Sequence, residues 1–159
     1  LPPRSPCYWR GVLRIGFARV AQRRRIWEAA WPIAGSDDIV AGGSLRTLVS
    51  PASDKPLTLA VLLRSRCVYR IDFVDETICH TNPFWAAAMK IPGRVCGNHV
   101  HAWDLNRMEV LGGAKDLPCR VPLPPNIRNL DSALPWLAER INLTLAPKDR
   151  SFRVPGSLF

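Results

Sequence analysis

The sequence predicts an α+β fold: a single antiparallel sheet of about five or six strands, with helices packed at its ends or on one face. Three observations carry this. Segments 45–49, 57–63 and 68–74 are rich in aliphatic and β-branched residues and are separated only by short turns. That spacing leaves no room for crossover helices, so neighbours must run antiparallel. A clear helical pattern comes late, at 132–142. The length of 159 residues, 47% of them apolar, is enough to bury a core without a covalent staple.

In chain order, Trp9, Leu13, Ile15 and Phe17 share one face of an extended segment and Arg10 and Arg14 the other, which predicts a strand. Residues 22–31 predict a short helix stopped by Pro32. The stretch 35–44, with Gly-Ser-Asp-Asp and Gly-Gly, predicts a loop. Pro51-Ala-Ser-Asp-Lys-Pro56 and Arg64-Ser65-Arg66 then turn the three central strands into one another. Residues 79–94 predict an irregular connection with a helical turn at 85–89. A further strand is expected at 95–103. Short pieces at 110–111 and 120–123 are expected at a sheet edge, because Pro118, Pro122, Pro124 and Pro125 keep them from its centre. Helix 132–142 can be capped by Asp131 or Ser132, takes Pro135 in its first turn, and buries Leu134, Leu137 and Ile141. The chain reads as one domain, 1–159, with a basic N-terminal segment, 1–31, and a short tail, 147–159.

The charge is uneven. Lys and Arg total 22 against 13 acids, a formal +9 and a pI near 10.1. Residues 1–25 hold seven arginines and no acid, so the remainder is nearly balanced. Tyr8, Trp9, Phe17, Trp27 and Trp31 are interleaved with them or follow closely. Arginine beside aromatics suits phosphate contact with base stacking, which makes Arg10, Arg14, Arg19, Arg23, Arg24 and Arg25 the candidate nucleic-acid contacts. An acidic protein, such as an antitoxin or a replication factor, would fit the same charge, as would an ordinary solvated surface. No run of 18 apolar residues and no secretory hydrophobic region occurs, so a cytoplasmic protein without membrane contact is expected. The five cysteines, at 7, 67, 79, 96 and 119, include no CxxC pair, and reduced thiols are expected.

All three histidines fall within a short span: His80, His99 and His101. Strand parity puts Tyr69, Ile71 and Phe73 on one face and Arg70 and Asp72 on the other. The same rule groups His99 and His101 opposite Val100 and Ala102. If those strands pair, Arg70, Asp72, His80, His99 and His101 meet on one side of the sheet, with Arg107 just beyond. Three chemistries fit. Two imidazoles and arginines can cleave RNA without a cofactor: His99 and His101 as acid and base, His80 a third candidate, Asp72 orienting a ring, Arg70 and Arg107 binding phosphate. Alternatively Asp72, His80, His99 and His101 can bind a divalent metal, zinc or manganese. Or the cluster is a hydrogen-bonded junction with Arg70 and Asp72 as an ion pair.

The order Arg70-Ile-Asp72, His80-Thr-Asn82-Pro83, His99-Val-His101 resembles a pattern in small uncharacterised bacterial and phage-borne proteins, which implies a mobile-element or defence setting. More faintly, Arg70-Ile-Asp-Phe73, His80-Thr-Asn82, Gly93-Arg-Val-Cys96 and Trp103 resemble the ubiquitin-conjugating enzyme core, which would make Cys96 a nucleophile. Here Thr81 stands where that family has proline, and His80 and Cys96 lie further apart than in the family. The function these readings favour is a small basic toxin or defence effector acting on nucleic acid, with RNA cleavage by the histidine cluster. The alternative is an inhibitor of a replication protein. Its hook is the C-terminal Ser-Leu158-Phe159, which resembles the end of sliding-clamp-binding peptides and offers two apolar anchors.

Overall fold

A computed structural model describes residues 9–10, 17–19, 27–34, 39–49 and 56–145. Its strands are β1 (Trp9–Arg10), β2 (Phe17–Arg19), β3 (Trp27–Ala34), β4 (Ile39–Val49), β5 (Pro56–Leu63), β6 (Arg66–Asp72), β7 (Cys79–Thr81), β8 (Arg94–Cys96), β9 (His99–His101), β10 (Val121–Pro122) and β11 (Leu143–Thr144). The helices are a 3-10 helix at Phe84–Met89, α1 (Trp103–Leu111) and α2 (Leu130–Arg140). The main sheet runs β10-β9-β6-β5-β4-β3-β1-β11, with β2 also on β3, and β7 and β8 form a separate pair. All pairings in the main sheet are antiparallel except β1 with β11. The α+β class and the antiparallel sheet are therefore as the sequence predicts, with short strands carrying the sheet to nine.

The expected meander, β4–β5–β6, is its centre. Leu63 pairs with Arg66, and the two turn residues, Arg64 and Ser65, both take positive φ, the twist-matching geometry of a two-residue hairpin. Alternation turns Leu45, Leu59, Val61, Tyr69, Ile71 and Val100 to one face, where they pack on Leu130, Ala133, Leu134, Leu137 and Ala138 of α2. Helix α2 starts slightly before its expected position. Asn129 is the cap: its side chain accepts from the Ser132 N–H, and the Ser132 hydroxyl accepts from the Asn129 N–H. Pro135 lies beyond the first turn, on the exposed side.

Several local expectations are corrected. The described part of 22–31 is strand: β3, with three alanines and one glutamate, pairs with β4 along its length, and that pairing overrides a weak helical preference. Pro32 is accommodated at a register shift between Pro32 and Ala34. The expected loop at 35–44 already contains strand, because β4 begins at Ile39. The expected strand 95–103 is broken in two at Gly97, whose φ of +70° few other residues adopt. Trp103 opens α1, so residues 110–111 end a helix and form no edge strand. The edge piece near 121 and the helical turn near 85 are present. The proposed strand face of Leu13 and Ile15 and the C-terminal tail lie outside the described residues. Among the described residues no helix is long and apolar enough to cross a membrane.

Candidate functional site

Strands β6 and β9 pair so that Arg70 faces His101 and Asp72 faces His99. The four side chains project from the sheet face opposite α2, as parity requires. That face is not left to solvent here. The excursion between β6 and β9 folds back over it with β7, the 3-10 helix and β8, and residues 117–120 complete the cover. A second small core, Ala86, Ile91 and Cys119, forms beneath. Two buried asparagines fasten this layer. Asn82 donates through Nδ2 to the carbonyls of Pro92 (2.8 Å) and Arg120 (2.7 Å), and its Oδ1 accepts the Arg120 N–H. Asn106 donates to the carbonyls of Ala102 and Cys119 and accepts the Cys119 N–H. Cys79 and Cys96, opposite one another in the β7–β8 ladder, form a disulfide. This corrects the expectation of reduced thiols for that pair, and it leaves Cys96 without the free thiol a nucleophile needs. Cys67 and Cys119 are free.

Under this cover His99 and His101 are 1% and 0% exposed. Each Nδ1 faces a main-chain carbonyl: Gly97 for His99, at 2.8 Å, and Leu117 for His101. A carbonyl only accepts, so both Nδ1 atoms carry the proton. Each ring then turns Nε2 toward one oxygen. Asp72 Oδ2 lies 3.2 Å from Nε2 of His101, 3.4 Å from Nε2 of His99 and 2.8 Å from Nε of Arg70. Thr58 donates its hydroxyl to the other carboxylate oxygen at 2.9 Å, and the Arg70 NH2 group donates to His101 Nε2 at 3.0 Å.

The electrostatics follow from this packing. Burial opposes ionisation of Asp72, but the His101 and His99 rings, the Arg70 guanidinium and the Thr58 hydroxyl outweigh it and hold the carboxyl well below the usual carboxylate range. Burial, against the pull of Asp72 and with the help of Arg70, pushes His101 below the ordinary imidazole range. A neutral His101 cannot donate from Nε2 while Nδ1 holds the proton. Arg70 Nε and Thr58 are thus the firm donors to Asp72. The two Nε2 atoms converge on Oδ2, an arrangement in which a shared proton or another cation can sit among the three.

The predicted residues are thus largely brought together. His80, on β7, completes a row: its ring centroid is 5.1 Å from that of His99, which is 5.1 Å from that of His101. It is partly exposed, and burial followed by the nearby Arg120 charge lowers its pKa. Asp72, His99 and His101 present ligand atoms within 4.8 Å of one another, a group that does not include His80. Arg107 is exposed on α1 and takes no part in the cluster's contacts described above. Arg10 and Arg19 lie in β1 and β2 without described side chains. Arg14, Arg23, Arg24, Arg25, Leu158 and Phe159 lie outside the described residues. Sequence reasoning missed Thr58, Arg120 and the clamping roles of Asn82 and Asn106. Parity from Pro122 would have turned Arg120 toward the cluster, but the asparagines carried no periodic signal. Compared with protein-family models, curated proteins and solved structures, the chain matches none.

Proposed function

We propose that the protein is a small basic effector that cleaves nucleic-acid phosphodiesters with a divalent metal held by Asp72, His99 and His101. One observation carries the reading: three acceptor atoms converge within 4.8 Å, with both imidazole Nδ1–H groups already committed to carbonyls. That is the outer-shell arrangement that fixes a histidine to offer Nε2 to a metal. Two His nitrogens and a carboxylate oxygen suit zinc, manganese or iron(II). Such an ion supplies Lewis acidity to a phosphoryl oxygen and acidifies a water. Proton transfer by His99 and His101 without a cofactor asks two fully buried rings to meet a polymer directly, and their burial favours a holding role instead. Arg70 spans Asp72 and His101 and serves as the cluster's cation. Its side chain is 29% exposed, so it can yield that place to an ion. The basic N-terminal segment suits a polyanionic substrate, and a toxin or defence role is the biological setting we propose.

The test is metal uptake by the full chain after chelator treatment, followed through metal analysis and RNA cleavage. We expect one zinc or manganese ion per chain, loss of uptake in His99→Ala, and cleavage that stops in EDTA and returns with the ion. Folded protein that takes up no ion, or cleavage unaffected by EDTA, would overturn the reading.

A further inference from the structure

We propose that Arg120, together with Arg70 and His80, forms an oxyanion site that takes a phosphate group of the substrate beside the Asp72–His99–His101 centre. This deepens the metal-centre reading and rests on it for the reaction, whereas the binding itself needs no ion.

The sheet register puts three arginines in one row on this face. Arg70 is level with His101 on β9, and on its other side with Ala60 of β5, which is level with Arg46 of β4. Val121 pairs with Val100, so Arg120, one residue earlier, comes level with His101 on the same face. Arg120 is not left to wander. Asn82 grips its main chain from both sides, through the Arg120 N–H and carbonyl, and so fixes where the side chain starts. One NH2 group donates to the Pro118 carbonyl at 3.1 Å. Its Nε–H is buried and has no acceptor. A buried donor on a charged group costs free energy until an acceptor meets it.

The surroundings say which acceptor is missing. The register puts Arg120 and Arg70 on one face, either side of His101, and burial, then the like charge of Arg70, lowers Arg120's pKa. Arg120 in turn acts on His80, which borders His99. The one carboxylate in the cluster, Asp72, is already engaged by Arg70 and Thr58. Among the described residues none of the ion pairs reaches Arg120. Two guanidiniums against a single committed carboxylate leave the cluster short of negative charge, and His80 lies at its edge. Planar guanidiniums match tetrahedral oxyanions through paired N–H donors. The site therefore fits a phosphoryl group, whether free or within a polynucleotide.

The experiment uses the full chain stripped with EDTA. Its probes are inorganic phosphate and a short single-stranded RNA, and the variants are Arg120→Gln and Arg120→Lys. Both variants keep the main-chain groups that Asn82 holds. We expect Arg120→Gln to weaken phosphate binding by about tenfold or more and Arg120→Lys to restore part of it, since a point charge replaces the fork. For RNA, the slope of log affinity against log salt should fall by about one in Arg120→Gln. Binding of phosphate but not RNA would identify a free phosphate as the occupant. Zinc uptake should be equal in the wild type and both variants. Should the wild type bind phosphate yet take up no zinc, the metal reading fails and the oxyanion site stands. Wild type that binds neither probe, or binding unchanged in a folded Arg120→Gln protein, would overturn the site. If circular dichroism shows Arg120→Gln unfolded, Arg120→Lys decides, with unchanged binding of both probes counting against the site.

Discussion

Asp72→Asn separates a lone-pair cluster from a charged one. The substitution keeps the shape of the side chain and, with Oδ1 retained, the bond from the Thr58 hydroxyl at 2.9 Å. It puts an NH2 group where Oδ2 stood. The contact with Arg70 Nε, at 2.8 Å, is lost. A charge-assisted bond of this kind contributes about 1.5–3 kcal/mol, and because Arg70 is 29% exposed the lower end applies. Against this, the new amide hydrogens face the Nε2 atoms of His99 and His101, which lie 3.4 and 3.2 Å from that position. With each Nδ1 committed to a carbonyl, an unprotonated Nε2 accepts from the new amide, and such contacts offset part of the loss. We expect a net destabilisation of about 1–2 kcal/mol at neutral pH. If the rings instead carried a second proton, removing the cluster's carboxylate would strand buried cations, and the cost would be about 3–5 kcal/mol.

Urea unfolding at constant m reads the difference. A loss of 4 kcal/mol or more would refute the lone-pair arrangement, and with it the case for a cation among the three atoms. Metal uptake gives a second readout, since an amide nitrogen has no lone pair to offer and binding should collapse. Acid gives a third. The Asp72 carboxyl has a lower pKa folded than unfolded. Its contribution is therefore complete above the unfolded carboxylate range, about pH 4, and drains away as the pH falls below it. The wild type should lose its advantage over Asp72→Asn on that acid limb. A constant difference from pH 7 to pH 2 would argue against an ionised Asp72.

Reducing the Cys79–Cys96 disulfide, which closes a sequence separation of 17 residues, should cost up to about 3 kcal/mol. Hydrogen exchange should rise chiefly within residues 79–96, and an unchanged melting temperature and exchange pattern would show that the cover is held by other contacts. Asn106→Ala deletes three hydrogen bonds at a side chain that is 0% exposed, stranding the Cys119 N–H and carbonyl. We expect a loss of about 3 kcal/mol or more in denaturant unfolding, and a loss under 1 kcal/mol would contradict the clamp.

The sequence made the meeting of β6 and β9 legible because strand parity depends only on spacing. Arg-x-Asp opposite Tyr-x-Ile-x-Phe, and His-x-His opposite Val and Ala, each declare two faces. The misreadings have physical causes of their own. Residues 22–31 predict a helix, but pairing with β4 decides the state of the described part from Trp27 onward, and pairing is not a local property. Helix α1 escaped notice because its buried side chains are Asn106 and Val110, so one of its inward positions is polar. The disulfide had no CxxC spacing to announce it and follows only from the ladder that sets Cys79 against Cys96.

Parity is silent on what covers a face, and that decides what the histidines can do. On the α2 side the cover is apolar and was visible in the Leu134, Leu137 stripe. On the histidine side the apolar part is only Ala86, Ile91 and Cys119 with a few partly buried neighbours. Besides the Cys79–Cys96 disulfide and the β7–β8 ladder, Asn82 and Asn106 fasten this cover through main-chain groups reached across 38 and 13 residues. A layer held this way is set by directional bonds, which tolerate less sliding than a greasy contact. It therefore delivers the Leu117 carbonyl to His101 and the main chain of Arg120 to the cluster's edge in fixed positions. The polar residues that hid this layer from a hydropathy reading are the ones that give the site its geometry.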